Sequence, residues 1–232
     1  MVLTRFGPDD QAGHEREATV TRVPQNTDPP RSLVLAHGAG SGPWIFEGWE
    51  ETFDGVVVEA VDLHQNLDVA HATHADFADR VVAAARALPA PVALCGWSMG
   101  GLAVLQAADR VAPHSVVLLE SSPPAEAQEN DPTAELRPGT FDPEEVYGEF
   151  PSGIRARPES LLARAERKRG LSVPRLPCPS LVVVGDYFRE ERGASVAGVY
   201  GSELIDFPGL GHWDLVRAPE VRAAVAEFVG AR

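Results

Sequence analysis

Six short, mostly apolar runs constrain the fold more than any other feature of this sequence. Most of them are rich in β-branched residues and lack the polar–apolar alternation that a half-exposed antiparallel sheet requires. They therefore predict strands of a parallel sheet that is buried on both faces. The six runs are Leu33–Ala36, Val56–Val61, Val92–Cys95, Val116–Leu119, Leu181–Val184 and Leu204–Phe207.

Segments with helical spacing separate these runs. In Ala75–Leu88 the apolar side chains fall on one stripe, and Thr73 supplies a start signal. Pro219 and Gly230 bound the last predicted helix. Strands that alternate with helices predict an α/β fold with right-handed crossovers and helices on both faces of the sheet. The less regular segment Glu17–Pro24 is expected to add an edge strand.

Residues 121–179 interrupt this alternation of strands and helices, because they contain ten of the chain's 20 prolines. A long irregular insertion in a compact domain is typical of a functional lid, and the aromatic residues in this one favour an ordered lid. We therefore predict a core domain from residues 1–120 and 180–232, with 121–179 as a lid. One short helix is expected inside the lid, from Pro158 to Arg169, with Gly170 as its terminator.

Composition excludes several classes of partner. A net charge of −14 opposes binding to nucleic acid phosphates. The uncharged stretch 87–108 contains prolines and glycines and makes a poor spanning helix, and no secretory signal is visible, so no membrane association is expected. Cys95 and Cys178 are too few for a disulfide framework, which favours a reducing, cytoplasmic location. We expect a monomer or homodimer without a cofactor.

The sequence GWSMG at residues 96–100 predicts the nucleophile of the site. A predicted strand enters it and a predicted helix leaves it, so its glycines permit a sharp turn on which Ser98 stands clear of the backbone. The same turn leaves the amide of Met99 at a helix N-terminus. A glycine-rich turn with a solvated serine is the alternative interpretation.

Two further glycine-rich segments follow predicted strands. The sequence HGAGSG at residues 37–42 allows the backbone to approach a substrate, and the amide of Ala39 is expected to join that of Met99 as an oxyanion donor. The sequence GLGHW at residues 209–213 precedes the final helix. A serine needs an imidazole to accept its proton, and His212 is the best placed of the seven histidines.

These three motifs, in this order, resemble those of the α/β-hydrolase superfamily. The resemblance covers nearly the whole chain and implies the α/β-hydrolase fold, a mostly parallel sheet of about eight strands, with 121–179 in the place of the lid. It also implies a Ser–acid–His triad, with Ser98 as nucleophile, His212 as general base and the Ala39 and Met99 amides as the oxyanion hole.

The position of the triad acid in this sequence differs from the position that is most common in the family. Its usual position, about three residues beyond the glycine that ends the penultimate strand, is Phe188 here. Asp186 follows that glycine directly. Some members carry the acid after the strand that follows the nucleophile helix, and that position is Glu120. We rank Glu120 ahead of Asp186, because a carboxylate after a buried strand needs a partner such as His212.

The resemblance and the serine together predict hydrolysis of an ester, thioester, lactone or related acyl bond of a small molecule, and an amide bond or a C–C bond beside a ketone also remains open. A non-catalytic or slow-turnover ligand receptor on the same scaffold is the alternative. Trp44, Trp97 and Trp213 flank the three motifs and are expected to wall an acyl pocket.

Other polar clusters carry less specific signals. His64, His71 and His74 lie near Asp68 and Asp76 but have no established ligand spacing, so no metal site is expected. Between residues 155 and 175 the lid holds a cluster of seven basic residues, which either form a solvated helix face, the interpretation that we favour, or attract an anionic substrate. These are Arg155, Arg157, Arg164, Arg167, Lys168, Arg169 and Arg175.

Overall fold

Six parallel strands form the central sheet. The computed structural model describes residues 28–148 and 150–230. The strands of these residues are β1 (Ser32–Ala36), β2 (Val57–Val61), β3 (Val92–Trp97), β4 (Val116–Leu119), β5 (Thr140–Phe141), β6 (Glu159–Ser160), β7 (Ser180–Val184) and β8 (Glu203–Asp206). The sheet order is β2-β1-β3-β4-β7-β8, with every neighbouring pair parallel. The six apolar runs are thus confirmed as strands.

The expected sheet of about eight strands has six within the described part of the chain. β5 and β6 do not join it but pair with each other as an antiparallel ribbon within residues 121–179. The predicted edge strand Glu17–Pro24 lies outside the described residues.

The helices that follow these strands cover both faces of the sheet. They are α1 (His74–Ala87), α2 (Met99–Val111), α3 (Pro143–Tyr147), α4 (Leu161–Arg169), α5 (Ser195–Tyr200), α6 (His212–Arg217) and α7 (Pro219–Val229). Short 3-10 turns at Pro43–Phe46, Glu50–Thr52 and Ala125–Ala127 and a π-helical turn at Arg189–Ala194 complete the described elements.

The four central strands β1, β3, β4 and β7 are buried along their whole length because each face of the sheet has its own apolar core. One core packs α1 and α2 against the sheet. The other packs α6, α7 and the first 3-10 turn against the opposite face. Among the described strands, β2 and β8 lie at the two ends of the sheet order with one neighbour each, and they retain exposed positions. An uninterrupted apolar run therefore marks a strand between two helical layers.

Local signals in the sequence determine where the helices begin and end. Thr73 caps α1 in a capping box with Asp76, in which each residue's side chain accepts from the other's backbone amide. Gly170 ends α4 with a φ of 89°, and Gly230 ends α7 with a φ of 76°, both in the region that favours glycine. The predicted lid helix is confirmed, although it begins at Leu161, capped by Ser160.

Hydrogen bonds dock residues 121–179 onto the core near the start of α1. The Ser160 hydroxyl donates to the carbonyl of Ala72 at 2.6 Å, and the amide of Gly139 donates to the carbonyl of Ala70 at 2.7 Å. A carboxylate oxygen of Glu166 accepts from the amide of His74 at 2.6 Å. These contacts anchor the described residues of this proline-rich segment to the core.

None of the helices in residues 28–148 and 150–230 has the length and apolar character needed to cross a membrane.

Candidate active site

Ser98 stands on a strained turn between β3 and α2. Its φ of 54° and ψ of −121° lie in a region that side-chain-bearing residues rarely adopt. The turn is tight because Gly100 lies directly against β1: a Cβ there would meet the carbonyl oxygen of Ala36 at 2.2 Å. Only glycine fits such a contact, so Gly100 allows the tight turn between β3 and α2 to form. This turn leaves Ser98 facing a cavity.

His212 is paired with Glu120. The Nδ1 of His212 lies 2.5 Å from Oε2 of Glu120, whose side chain is completely buried. The other carboxylate oxygen, Oε1, accepts from the amide of Gly185 at 2.9 Å. Both oxygens of this buried carboxylate therefore have hydrogen-bond partners, as burial of a charge requires. Because Nδ1 faces the carboxylate, Nε2 is the ring nitrogen left for the cavity.

Asp186, the other candidate acid, occupies a different place. Its side chain is exposed, and Oδ1 accepts from the amide of Gly209 at 3.0 Å. Its own amide donates to the carbonyl of Leu210 at 3.0 Å. Asp186 therefore braces the loop that carries His212, and of the two carboxylates only that of Glu120 contacts the imidazole. The physical reason is that Asp186 turns outward at the end of β7, whereas Glu120 turns inward between β4 and the histidine loop.

Ser98 and His212 line one cavity of about 630 Å³. The Ser98 hydroxyl forms no hydrogen bond with any described residue, His212 included. Catalytic hydrogen bonds in free enzymes are often long and tighten only when substrate binds. Burial lowers the pKa of His212, and the positive charge of Arg192 lowers it further, while the Glu120 carboxylate raises it. The net effect is downward, so the imidazole is neutral near pH 7 and able to accept a proton.

The two predicted oxyanion amides also border this cavity. Ala39 and Met99 line it, and neither amide donates to an acceptor among the described residues. The amide of Met99 is free because it opens α2, where the first backbone donors lack helical partners. The loop that carries Ala39 packs against the end of β3, because a Cβ on Gly38 would meet the Trp97 ring at 2.8 Å.

A set of contacts that the sequence did not indicate holds this loop in place. Oε1 of the buried Glu159 accepts from the amide of Gly40 at 2.7 Å, and the amide of Arg157 donates to the carbonyl of Gly40 at 2.9 Å. On its other side, His37 contacts the carbonyl of Gly38 through Nδ1 at 2.9 Å and accepts from the amide of Leu63 at 3.1 Å. Residues of the segment 121–179 thus hold the loop beside Ser98 in place.

Two of the three predicted pocket tryptophans line the cavity. The rings of Trp97 and Trp213 lie 4.8 Å apart, and the indole of Trp97 donates to the carbonyl of His212 at 3.1 Å. The prediction for Trp44 is wrong in position, because this residue does not line the cavity. Its 3-10 turn buries the neighbouring Ile45 and Phe46 and turns Trp44 outward, where it is 41% exposed.

The predicted histidine cluster is dispersed among separate contacts. His64 pairs with Glu159, the exposed His71 with Asp68, and the buried His74 with Gln106. Across residues 28–148 and 150–230, no group of three or more histidine, cysteine, aspartate or glutamate side chains is placed to hold a metal ion.

Comparison with known families identifies the fold. A model described as the alpha/beta hydrolase family matches residues 33–226. The chain belongs to the alpha/beta hydrolase family. The resemblance drawn from the three motifs and the expected fold class are both confirmed. No curated protein sequence matches this alpha/beta hydrolase significantly.

Solved structures share the fold at low sequence identity. One from work on the metagenome-derived lipolytic enzymes LipS and LipT has a TM-score of 0.66 at 18% identity, covering 88% of this chain and 95% of that one. The methylesterase MES16 from Arabidopsis has a TM-score of 0.63 at 19% identity, covering 86% and 98%. The type II thioesterase BorB from the borrelidin biosynthetic cluster has a TM-score of 0.62 at 19% identity, covering 91% and 95%.

Proposed function

We propose that this alpha/beta hydrolase cleaves an ester, thioester, lactone or related acyl bond of a small molecule, with Ser98 as nucleophile, His212 as general base and Glu120 as the acid of a triad. The observation that carries the proposal is the pairing of His212 with the buried Glu120 in the wall of the cavity that Ser98 faces. This pairing fixes the imidazole with Nε2 available to a neighbouring hydroxyl, as nucleophilic catalysis by serine requires.

The proposed reaction proceeds through an acyl-enzyme. His212 Nε2 takes the proton of the Ser98 hydroxyl as its oxygen attacks the carbonyl carbon, and the carbonyl electrons move onto an oxygen held by the Ala39 and Met99 amides. Collapse of this intermediate expels the alcohol or thiol, which takes the proton from His212. A water molecule then gives a proton to His212 and attacks the acyl group. The acid is released, and the proton returns to Ser98.

Two properties of the site support this chemistry. The net downward shift of the His212 pKa keeps the imidazole in its basic form, while the Glu120 carboxylate stabilises the imidazolium that forms during attack. The structures similar to this chain include lipolytic enzymes, a methylesterase and a thioesterase. Their described activities favour an ester or thioester within the broader class of acyl bonds.

Covalent labelling tests the proposal. We expect a fluorophosphonate probe to label the protein with a stoichiometry of one and to leave Ser98→Ala unlabelled. The matched control is Ser122→Ala, which removes the hydroxyl of another serine that lines the same cavity. This variant should be labelled as fast as the unsubstituted protein. Equal labelling of Ser98→Ala would contradict the assignment of the nucleophile.

A ligand receptor with slow or no turnover is the second candidate. The observation that favours it is the Ser98 hydroxyl, which forms no hydrogen bond with His212 in this structure. Steady-state hydrolysis of a short-chain aryl ester separates the two candidates. The receptor interpretation requires tight binding of the ester with less than one turnover, whereas the hydrolase interpretation requires repeated turnover that Ser98→Ala abolishes.

A further inference from the structure

Two arginine side chains from different elements line the cavity that Ser98 faces. Arg167 comes from α4 in the lid, and Arg192 comes from the π-helical turn after β7. Most of the neighbouring basic side chains of the lid, including Lys168 and Arg169, are absent from the cavity wall, as a solvated helix face requires. Arg167 lines the cavity and therefore does not fit the interpretation of a solvated helix face. Arg192 was not among the basic residues that the sequence indicated.

The contacts of these guanidinium groups are with neutral groups. Arg192 donates from Nη1 to the backbone carbonyl of Glu120 at 3.2 Å, and its guanidinium carbon lies 3.8 Å from the centre of the Phe188 ring. Arg167 donates from Nη2 to the hydroxyl of Tyr147 at 3.2 Å. No carboxylate in the described part of the chain lies within 4 Å of either group. Each guanidinium carries five N–H donors, so most of them are left for a ligand.

The two positive charges also affect each other. Burial lowers the pKa of Arg192, and the charge of Arg167 lowers it further, while Glu120 and Glu191 act in the opposite direction. Placing like charges around a partly buried cavity is unfavourable unless an anion offsets them. In this chain acidic residues outnumber basic ones by 34 to 20, so the lack of a paired carboxylate is a specific feature of the site.

We propose that Arg167 and Arg192 form a subsite that binds a carboxylate group which the substrate carries in addition to its scissile acyl bond. This inference rests on the proposed function, because it concerns the substrate of the same Ser98. The planar, multi-donor guanidinium suits a carboxylate. The charged residues that line the cavity are the two arginines and the exposed Asp214, and the buried Glu120 carboxylate contacts His212 and acts on Arg192. Because these two carboxylates already offset the two arginine charges, a monoanionic carboxylate suits the site better than a dianionic phosphate.

Two matched pairs of esters test the subsite and distinguish the side of the scissile bond that carries the anion. The first pair is mono-para-nitrophenyl adipate and para-nitrophenyl hexanoate, which differ by a carboxylate at the end of the acyl chain. The second pair is para-acetoxybenzoate and its methyl ester, which differ by a carboxylate on the leaving group. We expect kcat/KM to favour the anion at least about tenfold in one of the two pairs, and to favour it less as salt is added.

Arginine variants identify the groups responsible. Arg167→Gln should lower the anion-to-neutral ratio of kcat/KM about tenfold, and Arg167→Lys should restore part of it. Arg192→Gln should lower the same ratio, which is read separately from any change in overall rate because Arg192 also contacts Glu120. The matched control is Lys168→Gln, which removes an exposed charge from the same helix outside the cavity and should leave the ratio unchanged.

The outcomes separate this inference from the proposed function. Ser98-dependent turnover with an anion-to-neutral ratio near one in both pairs, or with a ratio that Arg167→Gln does not change, overturns the subsite and leaves the hydrolase in place. If no ester is turned over, calorimetry on Ser98→Ala decides. Monomethyl adipate should then bind more tightly than dimethyl adipate, and Arg167→Gln should remove the difference. Equal binding of the two would overturn the inference.

Discussion

Glu120 and Asp186 both follow buried strands, but they differ in burial and in the groups that they contact. Glu120 is completely buried and divides its two oxygens between His212 and the amide of Gly185. Asp186 is exposed and binds one loop amide. A carboxylate that orients an imidazole must contact it, so only Glu120 meets the geometric requirement.

We therefore predict that Glu120→Gln lowers kcat by about 10²–10⁴-fold, because the neutral amide neither stabilises the imidazolium nor holds the same tautomer. Asp186→Asn, the matched control, keeps an oxygen for the Gly209 amide and should lower kcat less than about threefold. Steady-state kinetics on one aryl ester measures both. A large loss in Asp186→Asn with full activity in Glu120→Gln would reverse the assignment.

The sequence could rank Glu120 and Asp186 but could not decide between them, because Phe188 occupies the position at which the acid was expected. It stands where the family commonly carries the acid, and its ring does reach the site, with its centre 5.5 Å from that of His212. Phe188 therefore reaches the imidazole but supplies no carboxylate to it. Burial and the direction of a strand-end side chain distinguish Glu120 from Asp186, and both depend on how β4 and β7 pair in space.

Most of the described strands and several helices of the core were predictable because they carry local signals. Apolar runs mark the strands, and the Thr73–Asp76 capping box and Gly230 mark helix ends. The turn Arg189–Ala194 and α5 have no side-chain hydrogen bond that caps their N-termini, and neither element is predicted from the sequence. Arg192 lies in that turn, so half of the proposed anion subsite depends on an element that only the structure reveals.

The ribbon formed by β5 and β6 joins residues 121–179 to the loop that carries Ala39. Glu159 in β6 accepts from the amide of Gly40, one residue after Ala39, and is itself only 2% exposed. In the proposed mechanism the Ala39 amide points at the developing oxyanion, so a contact that fixes its neighbour should act on the transition state more than on substrate binding.

We predict that Glu159→Ala lowers kcat about tenfold or more while changing KM less than about threefold. Glu159→Gln keeps a side-chain oxygen for the Gly40 amide and should recover most of the loss. The matched control is Glu126→Ala. It removes a carboxylate that accepts hydrogen bonds from the Ser172 hydroxyl and the Val173 amide outside the cavity. If Glu159→Gln were as slow as Glu159→Ala, or if only KM rose, Glu159 would not position the loop.

The stability of the whole molecule should depend on pH through a buried histidine. His74 is completely buried at the start of α1, and its pKa is lowered to about 3, mainly by burial. The nearby Arg167 charge contributes to this lowering, while the hydrogen bond with Gln106 opposes it. The unfolded chain therefore binds a proton at His74 below about pH 6.5, whereas the native state stays neutral there until about pH 3.

We predict that this one group lowers the free energy of unfolding by up to about 1.4 kcal/mol per pH unit as pH falls from about 6 to about 4. Urea unfolding at several pH values measures the slope. His74→Gln cannot take up the proton and should reduce that slope, while His71→Gln, which replaces an exposed histidine paired with Asp68, should not. Equal slopes in His74→Gln and the unsubstituted protein would contradict the prediction.

Trapping the covalent intermediate tests the proposed chemistry of this alpha/beta hydrolase most directly. Rapid quenching of turnover on an aryl ester, followed by intact-mass and peptide mass spectrometry, reports whether an acyl group resides on the protein. We predict an added acyl mass on the peptide that contains Ser98, larger in amount when Glu120→Gln slows deacylation. Turnover without any adduct on this peptide, and with undiminished rate in Ser98→Ala, would contradict the account.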